Sequence, residues 1–270
     1  MFYPKLVGVG LYKVGRALKN FKKNYLYKKF NFMRITSNPN SEHLNQIHHW
    51  LKDESNRKIN RFYWNFEVIK NAFSEKTLIC IIEKGLAIGY MIYYIDGKTA
   101  HISIANIKFE NKEKGLGLKL LKYFENKLIK KNIFAIDLKC SPSSSKRIWK
   151  KLGFKELKEV ENHRFFNSSN SSPYLYKILI ECEKPTKSRE IKQTYIELYC
   201  KDPINKESKP NYKWKINPKS ISEKPIIYPV DSDWNIKLFQ NGNEITENRI
   251  KRFKRGQFLH GNFIIIDKVP

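Results

Sequence analysis

The sequence predicts an α/β protein whose sheet is mixed (α+β), with helices and strands alternating along its central part. Short runs alternate between apolar and polar residues, as at 100–107, which favours strands. Longer runs repeat apolar residues at three- and four-residue steps, as at 116–131, which favours helices. The chain has 270 residues, of which 41% are apolar, so it can bury a substantial core and form two domains.

A basic segment precedes the central part. Apolar side chains recur at helical spacing over residues 6–30, and residues 1–32 hold eight basic side chains and no acid. We therefore expect a short basic amphipathic N-terminal helix. Such a helix can lie on RNA or on an anionic membrane surface, or it can pack against the next domain. Met33 is an alternative first residue, in which case residues 1–32 are incidental.

The first half of the central part contains helices followed by a run of strands. A strand at 32–36 leads into a helix around Leu44–Leu51 and a second helix at 57–73. The link Glu83–Gly85 is short enough for a hairpin, and Asp96–Gly97 marks a second turn. The strands that these two turns join lie at 77–82, 86–94 and 100–107.

Two glycines come after the last of these strands. Gly115 and Gly117 stand one residue apart, where the strand that ends near Ile107 gives way to a helix that runs to about Lys131. Glycine lets the backbone approach a bound group closely, and a helix N-terminus adds unpaired N–H donors and partial positive charge. The turn therefore suits a phosphate, although a Gly-x-Gly sequence also simply starts many helices.

The second half of the central part begins with a buried strand at 133–140. We expect it to be parallel to the strand before it, because a helix intervenes. Ser141–Ser145 supplies the start of another helix, which Gly153 ends. Strands from Phe154 and at 174–180 complete this part.

The composition changes at 183–188, where a domain boundary is predicted. We interpret the C-terminal region as a small α+β domain with a short helix near 189–199, a polar connector rich in Pro and Lys, and a basic helical segment from Glu247 to Arg255. Its predicted strands lie at 224–229, 234–239 and 258–267. The predicted domains are the extension 1–32, the central domain 33–184 and the C-terminal domain 185–270.

Three features of the central part resemble one enzyme superfamily. Lys112-x-x-Gly115-x-Gly117 is similar to the Gln/Arg-x-x-Gly-x-Gly/Ala turn of the GNAT superfamily of acetyl-CoA-dependent N-acyltransferases. The stretch Trp149–Phe154 fits that family's helix, which ends in an aromatic residue, three further residues and then Gly-Phe. Antiparallel strands precede the glycine turn, as they do in the family. The resemblance covers roughly residues 33–182 and implies a GNAT-like fold for them.

The resemblance also implies acetyl-CoA as the co-substrate, with no metal, and an amine as the acceptor. In the family the glycine turn cradles the coenzyme A pyrophosphate through backbone amides, and these map onto Gly115, Leu116 and Gly117. Lys112 replaces the usual Gln or Arg; it and Lys114 either add charge near the phosphates or are solvated. Ile107 is the expected contact for the pantetheine arm. The acceptor would be a small molecule, a peptide or an aminoacyl amine.

The sequence does not identify the catalytic acid or the catalytic base. The family commonly uses a tyrosine acid at the position of Trp149, and an indole cannot take that role. Acid catalysis is then absent, supplied by solvent, or supplied by one of four candidates, which are Ser145, Cys140, Tyr174 and Tyr176. The base would be His101 or a water held by Glu110, and His101 is also consistent with a partly exposed strand residue without a catalytic role.

The net charge of +26 suggests a second possible function, the binding of a polyanion. Because 42 of the 52 basic residues are Lys, a solvated surface accounts for the charge as well as a polyanionic partner does. The alternative is a catalytically weak or inactive GNAT-fold protein that engages nucleic acid or an anionic membrane surface. Its contacts would come from residues 1–32 and from a basic cluster formed by Arg249, Lys251, Arg252, Lys254 and Arg255.

Cysteine usage and hydropathy bear on the compartment. The four cysteines are widely spaced and form no CxxC motif, which indicates a reducing environment. No stretch approaches the roughly 18–20 apolar residues of a membrane span. We therefore expect a cytoplasmic protein without a transmembrane segment.

Overall fold

The computed structural model describes residues 33–157, 172–186, 194–200, 209–216, 224–252 and 258–266. The helix predicted over 6–30 lies outside these residues. The described helices are α1 (Ser41–Asn56), α2 (Phe66–Ser74), α3 (Leu116–Ile129) and α4 (Lys146–Lys151). The described strands are β1 (Arg34–Thr36), β2 (Leu78–Glu83), β3 (Leu86–Asp96), β4 (Thr99–Ile107), β5 (Ala135–Lys139), β6 (Lys155–Glu156), β7 (Tyr174–Ile178), β8 (Thr194–Tyr199), β9 (Tyr212–Ile216), β10 (Ile226–Pro229), β11 (Asn235–Gln240), β12 (Asn243–Arg249), β13 (Leu259–His260) and β14 (Phe263–Ile266).

The strands form three sheets. The first has seven strands in the order β1-β2-β3-β4-β5-β7-β6, the second has the order β12-β11-β8-β9, and the third has the order β10-β14-β13. β4 and β5 are parallel, as the intervening helix predicts, whereas β5 and β7 are antiparallel. The predicted α/β class with a mixed sheet is therefore confirmed.

The chain divides into two compact units. Unit 1 contains the residues up to Met91 together with Ala105–Leu120, and unit 2 contains Ile92–Ile104 together with the residues from Leu121 onward. The chain passes from one unit to the other within β3, within β4 and within α3. The domain boundary predicted near residue 184 stays a prediction.

Unit 1 begins with a strand and a well-capped helix. Asn40 Oδ1 accepts the His43 N–H at 3.0 Å, and His43 Nδ1 accepts the Asn40 N–H at 3.1 Å, which satisfies two backbone donors at the start of α1. Ile47 and Leu51, four residues apart, lie on one face of α1 and are fully buried. β2 follows with five consecutive buried residues, Leu78–Ile82, as is typical of a strand covered on both faces.

The second predicted helix of unit 1 is shorter than expected. The sequence pattern predicts a helix at 57–73, but the structure has a 3-10 turn at Phe62–Asn65 and then α2. The break has two local causes: Lys58 adopts a left-handed conformation (φ +56°), and the Asn60 side chain accepts the Phe62 N–H at 2.9 Å. The following hairpin is as predicted, with Lys84 and Gly85 both at positive φ, as in a type I′ turn.

Unit 2 places β5 at its centre. β5 pairs with β4 over Ala135–Asp137 against Thr99–His101, whereas β4 continues to Ile107. Its other neighbour is β7, and a buried cluster joins both strands to the C-terminal strands. The cluster consists of Ala135, Leu157, Tyr174, Tyr176, Ile227, Phe263 and Ile265. Ile227, Phe263 and Ile265 of the C-terminal strands therefore share a core with the strands of the seven-stranded sheet.

The C-terminal region differs from the prediction in three places. The helix expected near 189–199 is wrong over the described residues, because Thr194–Tyr199 is strand β8 between β9 and β11, and the earlier part lies outside those residues. The polar connector contains β9, whose alternating Tyr-Lys-Trp-Lys-Ile sequence fits a strand. The helix from Glu247 is also wrong over the described residues: β12 runs to Arg249, and a 3-10 turn at Ile250–Arg252 follows.

Pairing with neighbouring strands explains why these segments are extended. Lys237 on β11 contacts Glu247 on β12 at 2.8 Å and Glu244 at 3.2 Å, which are cross-strand ion pairs that a helix would separate. In the part of the chain that the structure describes, no helix is long and apolar enough to cross a membrane.

Ile265 and Ile245 provide a matched test of the shared core. Ile265→Ala should lower the free energy of unfolding by about 2–5 kcal/mol, because Ile265 is fully buried in the cluster that includes Tyr174 and Tyr176. Ile245→Ala should change it by less than about 0.5 kcal/mol, because Ile245 is 55% exposed. Urea unfolding followed by circular dichroism measures both. Equal effects of the two changes would contradict the packing described.

Candidate active site

The glycine turn of unit 1 has the conformation that its sequence predicts. β4 ends at Ile107, a 3-10 turn covers Phe109–Asn111, and α3 begins at Leu116. Gly115 has φ +70°, in the left-handed region that glycine adopts at little cost. Leu116 is buried, whereas Lys112, Lys114 and Gly117 are exposed. The turn therefore holds α3 by a buried leucine and presents its lysines and glycines outward.

The space above the two glycines is open. A Cβ atom added at Gly115 or Gly117 would meet no described atom within 4 Å. Packing within the described residues therefore does not require glycine at 117, where φ is also ordinary for any residue. The N–H groups of the first helical turn have no partner within the helix, so they can bind an anion that approaches here.

Ile107 is held by close packing with β3. A Cβ atom at Gly89 would come within 2.6 Å of Ile107 Cδ1 and 3.2 Å of the Asn106 carbonyl oxygen. Gly89 thus gives Ile107 the room to lie against β3 at the end of β4. The position of Ile107 depends on this contact.

A buried carboxylate supports the segment between Ile107 and the glycine turn. Glu54 on α1 is fully buried, and its Oε1 accepts the backbone N–H of Phe109 at 2.7 Å. The Asn60 side chain donates to its other oxygen. Burial raises the pKa of Glu54, whereas the Phe109 N–H and the charge of Lys112 act in the opposite direction. The sequence pattern alone does not single out Glu54, because acidic residues are common in helices.

Glu110, the predicted water holder, is engaged in an ion pair. Arg57 Nη1 lies 2.9 Å from Glu110 Oε1 and 3.1 Å from Asp53 Oδ2. A hydrogen bond from its own backbone N–H, and then one from Arg57, lowers the pKa of Glu110. Glu110 therefore lies beside the turn as an ion-paired, exposed carboxylate.

Unit 2 brings His101 together with a carboxylate that the sequence analysis missed. His101 on β4 and Asp137 on β5 are directly opposite each other, and His101 Nδ1 lies 2.5 Å from Asp137 Oδ1. Asp137 is 3% exposed. A carboxylate accepts a hydrogen bond from Nδ1–H, so the lone pair of a neutral imidazole lies on Nε2. The one sequence feature that could have indicated Asp137 is that it is the single acid within the apolar run Ile133–Leu138.

Two further donors converge on Asp137. The Tyr174 hydroxyl from β7 and Asn262 Nδ2 both bind Asp137 Oδ2, the latter at 3.0 Å. Burial, and then the charge of Asp137, raise the pKa of Tyr174 well above its usual value, so this hydroxyl keeps its proton. Tyr94 stacks on the His101 ring with centroids 4.7 Å apart. The imidazole is thus oriented both by hydrogen bonding and by stacking.

The other predicted acids lie in different surroundings. Cys140 is buried, its Sγ lies 3.1 Å from Ser145 Oγ, and the Ser145 hydroxyl donates to the Pro142 carbonyl at 2.8 Å. The Tyr176 ring packs against Phe263 in the buried cluster. Cys140 and Ser145 therefore form one pair at the end of β5, apart from Tyr176 on β7.

Trp149 has a packing role in the structure. It lies on α4, and its ring contacts Phe154 edge-on, with centroids 5.1 Å apart. Gly153, at φ +90°, makes the turn that allows this contact. The aromatic-to-Gly-Phe pattern is therefore a local packing unit in this chain.

The basic cluster of the alternative hypothesis is only partly described. Lys251 Nζ lies 2.7 Å from Asp233 Oδ1, and Arg252 Nη1 lies 3.4 Å from Asn248 Oδ1. Residues 1–32, Phe253, Lys254 and Arg255 lie outside the described residues. Among the residues that are described, no group of three or more His, Cys, Asp or Glu side chains is arranged to hold a metal ion.

Comparisons with known proteins agree with the motif pattern. The family model of the acetyltransferase (GNAT) domain matches residues 50–168. A search of curated proteins finds no match. The solved structures similar to this chain include Ard1 from Thermoplasma volcanium, with 15% identity and a TM-score of 0.44, over 55% of this chain and 99% of that one.

Two other solved structures are similar to the same extent. The PaiA N-acetyltransferase from Thermoplasma acidophilum, in complex with coenzyme A, has 17% identity and a TM-score of 0.44 over 54% of this chain and 99% of that one. A GNAT-family acetyltransferase from Staphylococcus aureus has 19% identity and a TM-score of 0.43 over 55% of this chain and 100% of that one. Over residues 50–168, which is less than half of its 270 residues, the chain matches the acetyltransferase (GNAT) domain family.

Proposed function

We propose that the protein transfers an acetyl group from acetyl-CoA to a primary amine. The observation that carries the proposal is the open glycine turn at the start of α3, within a domain of the GNAT family. Gly115 bends the backbone at φ +70°, and no described atom fills the space that a side chain at Gly117 would take. The turn fits a pyrophosphate group that must approach the backbone closely.

Several residues of unit 1 would hold the coenzyme. The N–H groups of Leu116 and Gly117 belong to the first turn of α3 and can donate to phosphate oxygens. Lys112 and Lys114 are exposed on the same turn and add positive charge. Beyond His101, the backbone of β4 up to Ile107 can pair with the amides of the pantetheine arm in the manner of an added strand.

His101 is the proposed general base. Asp137 orients the imidazole through Nδ1, which leaves Nε2 outside that hydrogen bond, and His101 is one of the residues that line a polar cavity. The imidazole can therefore accept a proton from the acceptor ammonium or amine at Nε2, while Asp137 stabilises the imidazolium that forms. Glu110 is less suited to this role because Arg57 occupies its carboxylate.

The transfer balances with one base and solvent. Acetyl-CoA supplies the acetyl group as a thioester. The neutral amine attacks the carbonyl carbon, the C–N bond forms as the C–S bond breaks, and the proton of the amine goes to His101 Nε2. The departing thiolate takes a proton from solvent or from the Cys140–Ser145 pair, because the Tyr174 hydroxyl keeps its proton and donates its hydrogen bond to Asp137.

Gly117→Ala tests the coenzyme site. It should weaken coenzyme A binding about tenfold or more, because the new methyl group would occupy the place of a phosphate oxygen near the helix N-terminus. It should not lower thermal stability, because alanine favours the helix by up to about 1 kcal/mol over glycine. Isothermal titration calorimetry and thermal unfolding measure the two effects.

Asn126→Ala, an exposed change further along α3, is the control for Gly117→Ala. It should leave both properties unchanged. If wild-type protein binds no coenzyme A, or if Gly117→Ala binds it as tightly as wild type, the proposed site is wrong.

His101→Gln tests the base. It should lower kcat about 10²–10⁴-fold with little change in the Kd for coenzyme A, because the imidazole moves a proton and does not hold the coenzyme. His49→Gln on α1 is the matched control and should leave kcat unchanged. Steady-state kinetics with acetyl-CoA and an excess of amine measures both. A kcat within twofold of wild type for His101→Gln would rule out this residue as the base.

Glu54→Ala tests the support of the turn. It should lower the free energy of unfolding by about 1.5–3 kcal/mol and weaken coenzyme A binding, because the Phe109 N–H loses its buried charged acceptor. Glu42→Ala, on the exposed face of the same helix, should change neither. Chemical unfolding and calorimetric titration give the two quantities. Undiminished coenzyme affinity in a destabilised Glu54→Ala protein would show that Glu54 supports the fold only.

A further inference from the structure

A polar cavity of about 280 Å³ lies beside the His101–Asp137 pair within unit 2. One side of it is formed by residues of β3 to β5, including Tyr94, His101 and Asp137. The other side is formed by the C-terminal region, including Ser232 and Asn262. The proposed base therefore faces a space that the GNAT strands enclose only together with residues beyond residue 168, where the family match ends.

The C-terminal wall is tied to the β3–β4 hairpin. His260 Nδ1 accepts the backbone N–H of Lys98 at 3.2 Å, and a Cβ atom at Gly261 would come within 2.5 Å of Thr99 Oγ1. Asn262, the next residue, reaches Asp137 at 3.0 Å. Three consecutive residues of the β13–β14 turn thus contact the hairpin and the carboxylate. The wall is a packed part of unit 2.

The lining has the chemistry of a site for a cation. Among the described residues that line the cavity, none is Lys or Arg, although the chain carries 52 of them. The lining includes the carboxylates Asp96 and Asp137, the hydroxyl of Ser232 and the amide of Asn262. A primary ammonium group presents three N–H donors, and carboxylate, hydroxyl and amide oxygens can accept them. An anionic acceptor would find no positive side chain there.

We propose that this cavity binds the acceptor, that the acceptor is a small aliphatic primary amine, and that the C-terminal strands form one wall of the acceptor pocket. The inference rests on the proposed function, because it assigns the second substrate of the same reaction. The cavity lies just below the range of about 300–1,000 Å³ that is usual for ligand pockets, which suits a small molecule. The ammonium group enters beside His101 Nε2, where its proton can be taken.

The test measures the acetylation of butylamine by variants in which Ser232, a residue of the C-terminal wall, is replaced. Ser232→Leu should raise the KM for butylamine about tenfold or more, because added carbons fill the pocket. Ser232→Ala, which removes only the hydroxyl oxygen, should change KM much less than the leucine variant does. The Kd for coenzyme A should stay at the wild-type value in both variants, because Ser232 is not one of the residues proposed to hold the coenzyme.

A second measurement on the wild-type protein keeps the test independent of how the variants fold. N,N-dimethylbutylamine, a cation of similar length, should inhibit competitively against butylamine, whereas neutral 1-butanol should not. Wild-type protein that binds no coenzyme A overturns the proposed function and this inference together. Protein that binds coenzyme A overturns only this inference in any of three cases: it acetylates no small amine, Ser232→Leu leaves KM unchanged, or 1-butanol inhibits as well as the cation does.

Discussion

The buried carboxylate of Asp137 is the constraint on which unit 2 depends. A charge that is 3% exposed is costly unless it is paired and hydrogen-bonded. Three donors meet it from separate parts of the chain: His101 on β4, Tyr174 on β7 and Asn262 after β13. Because all three donors pair with the same buried carboxylate, the positions of His101, the proposed base, and of the C-terminal hairpin are coupled through Asp137.

The C-terminal strands are therefore part of the catalytic half of the protein under the proposed function. Phe263 and Ile265 are fully buried in the cluster that contains Tyr174, so the hairpin that carries Asn262 is anchored by apolar packing next to the carboxylate. Apolar burial stabilises the hairpin, and the hydrogen bond to Asp137 fixes the orientation of the Asn262 side chain. Under the proposed function, the C-terminal hairpin thereby adds a wall to the cavity that His101 and Asp137 line.

Local signals explain which parts of the fold could be predicted. The turn at Gly85 and the glycine turn before α3 depend on residues with positive φ, which glycine marks in the sequence. The helix predictions for β8 and for the end of β12 are wrong because the state of these segments depends on the strands with which they pair. The contact of Asn262 with Asp137 spans 125 residues and leaves no local pattern, so the sequence named His101, Tyr174 and the glycine turn of the candidate site but neither Asp137 nor Asn262.

Two buried carboxylates divide the work of the proposed reaction. Glu54 acts within unit 1, where it accepts the Phe109 N–H and so holds the backbone that leads into the glycine turn. Asp137 acts within unit 2, where it orients His101. Each is buried and satisfied by donors from its own unit, so the loss of one need not disturb the other. Under the proposed function, we therefore expect coenzyme binding and proton transfer to be separable by mutation, because each depends on an element that is supported independently of the other.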